Sequence, residues 1–100
     1  MELKKIEKYL QIYLDEVIIP KANEELSSGE NDEPIKMKVW GIKPSQTHPD
    51  QYLNVFIDVN PFWKGSFFDN YVTKGIESFF KFFTLEVKPL VRYNTRPEKL

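Results

Sequence analysis

The side chains that could serve as a nucleophile and a base lie on one short loop of this sequence. His48 is the only histidine, and Ser45 and Asp50 lie within three residues of it. A catalytic serine needs a base and an orienting acid held in a fixed geometry. A short loop that contains Pro44 and Pro49 is a poor support for that geometry, so we expect His48 to be a surface histidine.

The composition offers no other catalytic or cofactor chemistry. The chain has no cysteine and one histidine, so it lacks the thiolates and paired imidazoles of common metal centres. Its four glycines are isolated from one another, whereas a phosphate-binding loop needs clustered glycines. The acidic residues of 27–34 lack the ligand spacing of a calcium loop. We therefore predict that the protein is not an enzyme and has no cofactor or metal site.

Aromatic and basic side chains share one face of the predicted sheet. Along the predicted strands, core-facing residues alternate with a second set that faces outward. That outward set consists of Trp40, Tyr52, Phe56, Lys36, Lys38, Lys88 and Arg92. Such rings and cations suit a protein interface and also suit stacking on single-stranded nucleic acid. Packing of the rings within the molecule is the third interpretation.

A second candidate surface is the pair Phe62 and Trp63, which precedes the second helix. Two adjacent large rings in a turn indicate a contact site, because exposed apolar clusters tend to mark interactions. They can equally pack under the helix that follows, as a hydrophobic staple does. Both interpretations stay open at this point.

The elements that position these residues follow from the pattern along the 100 residues, which is the length of one domain. Helical periodicity, strand alternation and turn residues mark the boundaries. They predict a helix over 1–26 with a kink near Pro20, an acidic loop over 27–34, strands over 35–43 and 51–59, a helix over 66–83, a strand over 85–93 and a polar tail over 94–100.

Each helix carries a predicted apolar stripe that faces the sheet. In the first helix the stripe is Leu3, Ile6, Leu10, Tyr13 and Val17, widened by Leu14 and Ile18. In the second it is Phe68, Tyr71, Val72, Gly75, Ile76, Phe79, Phe82 and Phe83, with Phe67 and Phe80 off the stripe. We expect Gly75 to mark the closest approach of helix and sheet, because glycine has no side chain to separate them.

These elements predict an α+β fold of the order α-β-β-α-β, a two-layer sandwich. Two helices pack on one face of a three-stranded sheet, which is mixed because the connection through the second helix makes the last strand parallel to a neighbour. Proline at 89 places the last strand at an edge of the sheet or at a bulge.

The element order, and the character of the final segment 85–94, are similar to the KH-like fold of bacterial ribosome-binding factor A. That family's Gly-x-x-Gly loop between helices is absent from this sequence. The resemblance therefore implies a fold and assigns no functional residue.

Charge and hydropathy narrow the class of function. The net charge is −1, with four lysines and nine acids in residues 1–34, and ten basic and six acidic residues in 35–100. No apolar run approaches the roughly 20 residues that span a bilayer. We expect a cytoplasmic protein, or one within an intracellularly assembled particle, that contacts no membrane. The predicted function is protein interaction, as a structural subunit of a larger assembly or by self-association, and the alternative is binding of RNA or single-stranded DNA.

Overall fold

The protein has the predicted α-β-β-α-β order, with helices packed on a three-stranded mixed sheet. The computed structural model describes residues 2–26, 35–60, 66–83 and 86–96. Three helical segments, α1 (Leu3–Tyr13), a π-helical turn (Leu14–Ile18) and α2 (Ile19–Leu26), follow one another without a break and form the N-terminal helix. The remaining elements are β1 (Lys36–Pro44), β2 (Tyr52–Asn60), α3 (Ser66–Phe82) and β3 (Lys88–Tyr93).

The sheet has β2 at its centre. β1 pairs with it antiparallel, with Met37 opposite Val59 and Ile42 opposite Val55. β3 pairs with it in parallel, with Val91 opposite Val55, and is therefore the edge strand that Pro89 predicts. A proline costs least at an edge because its missing N–H then removes no bond from the ladder.

The N-terminal helix buries residues at steps of four: Ile6, Leu10, Leu14, Ile18 and Ala22. On a regular α-helix each such step turns about 40° past a full circle, so the row would leave the core. The π-helical turn, in which the N–H of Ile19 bonds to the carbonyl of Leu14, widens the helix and keeps the row in register. The prediction that Val17 belongs to the core stripe is wrong for this reason, and Val17 is exposed.

The wider turn lies directly before Pro20, which has no N–H and whose ring crowds the preceding turn of a helix. The helix continues through Pro20 into α2.

Among the α3 side chains that the structure describes, Val72, Ile76, Phe79 and Phe80 are buried, while Phe82 is 82% exposed. Phe82 therefore lies outside the core and Phe80 lies inside it, which reverses the prediction for both. Consecutive helical residues differ by about 100° in direction, so the arc centred on Ile76 and Phe79 reaches Phe80 and excludes Phe82. The side chains of Phe67 and Phe68 lie outside the described residues.

Gly75 marks a close approach between the two helices rather than between helix and sheet. A Cβ at this position would lie 2.9 Å from Cδ1 of Ile18 in the N-terminal helix. The same two helices meet at Tyr13 with Phe79 and at Tyr9 with Phe83, whose ring centroids are 5.5 and 5.7 Å apart. Later residues of α3 contact earlier residues of the N-terminal helix, so the two helices run antiparallel.

Polar side chains of the N-terminal helix cap the outer edge of β1. Four hydrogen bonds do so: Gln11 to the Val39 N–H (2.7 Å) and to the Met37 carbonyl (3.1 Å), Glu7 to the Ile42 N–H (2.9 Å), and Asn23 to the Ile35 N–H (2.7 Å). An uncapped edge strand would present its N–H and carbonyl groups to other chains. The helix thus fixes its own position while it closes this edge.

Candidate functional site

The outer face of the sheet, which the helices leave uncovered, holds most of the predicted site residues. The register places Lys36 and Lys38 on it, because they lie opposite Asn60 and Asp58. Lys88 and Arg92 lie on the same face, opposite Tyr52 and Phe56. All four basic side chains are exposed and Tyr52 is half-buried.

Trp40 lies on the outer face, where alternation from Lys36 and Lys38 places it, at a β-bulge. The pairing shifts between Val39 and Gly41, so that Trp40 has no partner on β2. The extra residue changes the phase of the strand, so that Gly41 lies opposite Phe56 and Ile42 opposite Val55. The indole ring lies under the guanidinium of Arg96, whose central carbon is 3.8 Å from the ring centroid, and the Lys38 ammonium is 4.7 Å away.

Arg96 also binds Asp58, with 2.7 Å between Nη1 and Oδ1. The hydrogen bond from Arg96 lowers the pKa of the Asp58 carboxyl below its ordinary value, and a bond from Trp40 acts in the same direction, while burial opposes both. The side chains of Trp40, Asp58 and Arg96 therefore form one cluster in which each has the other two as partners. Arg96 lies in the segment predicted as a polar tail, and its type alone gives no signal for this role.

Phe56 is not available as a contact residue, since it is only 1% exposed. It lies in the central strand, between Gly41 on β1 and Arg92 on β3. The side chain of Arg92 donates a hydrogen bond to Asn54, which lies in β2 as Phe56 does, with 3.2 Å between Nε and Oδ1. Phe56 thus lies on the predicted face of the sheet, but its burial removes it from the candidate interaction surface. Phe62 and Trp63 lie outside the described residues.

The exposed apolar side chains lie elsewhere. Among the described residues, five large hydrophobic side chains are exposed: Tyr9, Ile12, Val17, Trp40 and Phe82. All except Trp40 belong to the two helices. Tyr9 stacks on Phe83, which Phe82 meets edge-on at a centroid distance of 5.4 Å.

These side chains follow a groove between the antiparallel helices. On α3 the groove side is formed by Tyr71, Gly75, Ser78 and Phe82, whose steps of four, three and four keep them in one row. On the N-terminal helix it is formed by Tyr9, Tyr13, Val17 and Lys21 at steps of four. We call this surface, together with Lys74 and Phe83, the interhelical groove. From Tyr9 to Lys21 it extends about 18 Å, at 1.5 Å per residue.

The interhelical groove was not predicted from the sequence. Six of its members belong to the predicted core stripes of the two helices, because an apolar residue at helical spacing usually faces a core: Tyr13, Val17, Tyr71, Gly75, Phe82 and Phe83. Tyr9 lies outside those stripes. The signal that identifies it is the excess width of both stripes, since one side of a helix can bury only part of its apolar residues.

A polar contact joins α3 to β3. The Tyr93 hydroxyl donates to Oδ1 of Asp69 at 2.8 Å. Burial of the phenol, and then its bond to Asp69, raise the pKa of Tyr93 well above its ordinary value. The Tyr93 phenol therefore remains protonated at physiological pH.

The loop between β1 and β2 holds the three residues first considered for catalysis. His48 is exposed, and its Nδ1 contacts the Thr47 hydroxyl at 3.1 Å. Ser45 is buried, and its hydroxyl accepts a bond from the His48 N–H at 3.3 Å. These bonds are those of a compact loop.

Within the described ranges, no group of three or more histidine or acidic side chains is placed to hold a metal ion. No helix in those ranges combines the length and the apolar character needed to cross a membrane. Comparison of the chain with protein-family models, curated proteins and solved structures finds no match.

Proposed function

We propose that this protein is a non-enzymatic interaction domain, a structural subunit or adaptor that binds a protein partner along its interhelical groove. The observation that carries the proposal is the position of the exposed hydrophobic residues. Four of the five found in the described residues lie in the helical layer. Contiguous exposed apolar surface of this kind marks interaction sites.

The groove also has the size and shape of a helix-binding site. Its length of about 18 Å matches roughly three turns of a partner helix. An amphipathic helix binds in such a groove through apolar anchors one turn apart. Tyr9, Tyr13 and Val17 are one turn apart on the N-terminal helix, so their spacing matches such anchors. Burial of one large apolar side chain contributes roughly 1.5–3 kcal/mol, so a few anchors provide specific binding.

Photo-crosslinking from two positions tests the proposal. Benzoylphenylalanine is introduced at Phe82 in one variant and at Lys36, on the outer face of the sheet, in the matched control. Both positions are exposed, so both variants are expected to fold. After irradiation in the native host, the position 82 variant is expected to give a discrete crosslinked product, either with a second copy or with another protein.

The control defines what contradicts the proposal. A discrete product from position 36 and none from position 82 would move the interaction to the sheet. Crosslinks from neither position, in protein shown to be folded, would end the proposal of a protein-interaction domain.

RNA or single-stranded DNA binding through the outer face of the sheet is the second candidate function. It is favoured by the charge of that face: the cations Lys36, Lys38, Lys43, Lys88, Arg92 and Arg96 surround one carboxylate, that of Asp58. Clustered cations bind phosphates with release of counterions. Stacking would use Tyr52, or Trp40 after Arg96 has left its ring.

Fluorescence anisotropy with labelled, mixed-sequence oligonucleotides tests this second function. Binding at low salt that weakens on substitution of Lys36 and Lys38 by glutamine, with a reduced salt dependence, would support it. Lys4→Gln, on the N-terminal helix, is the matched control. Absence of binding at low salt would remove nucleic acid from consideration.

A further inference from the structure

The interhelical groove differs in character from one end to the other. At one end lie the rings of Tyr9, Phe82 and Phe83. At the other the walls are Tyr13 and Val17 on one helix and Tyr71 on the other, and the groove deepens to a volume of about 320 Å³. That volume is at the lower end of the range for ligand sites.

The depth at this end depends on two local features. Gly75 has no side chain, so Ile18 packs against the α3 backbone and the groove opens above it. The π-helical turn directs Val17 away from the core and into the groove wall. Such turns within α-helices often lie at functional sites. The result is an apolar depression wide enough for one side chain of a partner.

Two lysines face each other across this depression. Lys21 extends from α2 and Lys74 from α3, and both line the groove. Within the described part of the chain, neither forms an ion pair. Among the described residues that line the groove at this end, none is acidic. Two cations beside an apolar depression whose described lining has no carboxylate favour a ligand that is both apolar and anionic.

We infer that the partner segment is an amphipathic helix of another protein with acidic residues at one end. Its apolar anchors lie along the groove from Phe82 to Val17, and its carboxylates lie between Lys21 and Lys74. The inference rests on the proposed function, since it specifies the chemistry of the partner. A second copy of this chain is the less suitable occupant, because the described lining of its groove supplies further lysines and no carboxylate for Lys21 and Lys74 to bind.

A matched pair of synthetic peptides provides the test. Both are short amphipathic helices with leucine anchors one turn apart and blocked termini, and one carries glutamates at one end where the other carries glutamines. Titration into the ¹⁵N-labelled protein is followed by chemical shifts. The glutamate peptide is expected to bind about tenfold more tightly, since charge-assisted bonds are the stronger ones, and to shift the amides of residues that line the groove.

Substitutions of the two lysines test whether they cause the difference in affinity between the two peptides. Lys21→Gln and Lys74→Gln are each expected to weaken the glutamate peptide several-fold and to leave the glutamine peptide unchanged. Lys4→Gln and Lys81→Gln are matched controls on the same helices, outside this depression, and should change neither affinity. Equal binding of the two peptides, or no binding of either, overturns the inference.

Its failure is distinguishable from failure of the proposed function. If crosslinks form from position 82 while both lysine variants bind the two peptides as the wild type does, the groove remains an interface and its acidic partner is excluded. Sedimentation of the free protein as a dimer that Phe82→Ser dissociates would make the occupant a second copy, and would also overturn the inference.

Discussion

The outer face of the sheet and the interhelical groove both carry aromatic side chains, but they differ in what covers those rings. On the sheet, Phe56 is buried and Trp40 lies under Arg96. In the groove, Phe82 and Tyr9 remain exposed although Phe83 and Tyr13 beside them pack against the core. Phe56 is thus used for folding and Trp40 is paired with Arg96, whereas Phe82 and Tyr9 exceed what folding requires.

The two surfaces also differ in charge. The sheet face is strongly basic, and Asp58 neutralises only Arg96 there. The groove is apolar, with cations confined to Lys21 and Lys74 at one end. Aromatic content alone therefore does not identify an interaction surface. Whether cations of the same molecule cover the rings must also be considered.

The largest expected effect is a difference in the free energy of unfolding between variants at two phenylalanines of α3. Phe79→Ala should lower the free energy of unfolding by about 3–5 kcal/mol, because it removes a ring from the centre of the core. Phe82→Ala should change it by less than about 0.5 kcal/mol, since exposed side chains contribute little. Urea denaturation followed by circular dichroism measures both. Equal losses in the two variants would mean that Phe82 is part of the core.

A smaller effect separates two neighbours on the N-terminal helix. Gln11→Ala should cost about 1–3 kcal/mol, because the Val39 N–H and the Met37 carbonyl lose their part-buried partner. Ile12→Ala, at the next position and exposed, should cost less than about 0.5 kcal/mol. The same denaturation experiment compares them. A Gln11 variant as stable as the wild type would show that the helix does not cap the β1 edge.

The smallest effect concerns the ion pair on the sheet face. The folded pKa of Asp58 is lowered, so the pair contributes its stability above the ordinary carboxyl pKa of about 3.9 and loses it as the pH falls through the folded pKa. Asp58→Asn should therefore be less stable than the wild type at neutral pH by under about 1 kcal/mol, with the difference vanishing in acid.

The matched variant for that pair is Arg96→Met, which keeps an unbranched side chain and removes its charge. Unfolding curves between about pH 6 and pH 3, a range that spans the ordinary carboxyl pKa, should show the same loss of pH dependence in both variants. A difference that persists at the lowest pH would mean that Asp58 acts by packing or hydrogen bonding rather than by its charge.

The order of elements and the mixed sheet were predictable from the sequence, because alternation and helical spacing report which side of an element is buried. The choice within a wide apolar stripe was not. Leu14 and Val17 are equivalent by pattern, and the π-helical turn decides between them. The same holds for Phe80 and Phe82, since α3 offers more rings than its core can contain.

The sheet face shows a different limit of sequence reasoning. Alternation places Phe56 and Trp40 on the outer face, and the structure agrees on the face. The alternation pattern does not indicate which side chains cover that face. Arg96 is more than 50 residues from Trp40 along the chain, and a contact at that separation leaves no local pattern.

The most direct test of the groove as the interaction surface compares two exposed rings in a binding experiment. Phe82→Ser and Trp40→Ser are titrated against the partner identified by crosslinking from position 82. Because Phe82 is a central anchor in this account, its loss should weaken binding at least about tenfold without loss of stability, and Trp40→Ser should bind as the wild type does. Unchanged affinity of Phe82→Ser, with weakened binding of Trp40→Ser, would contradict the account.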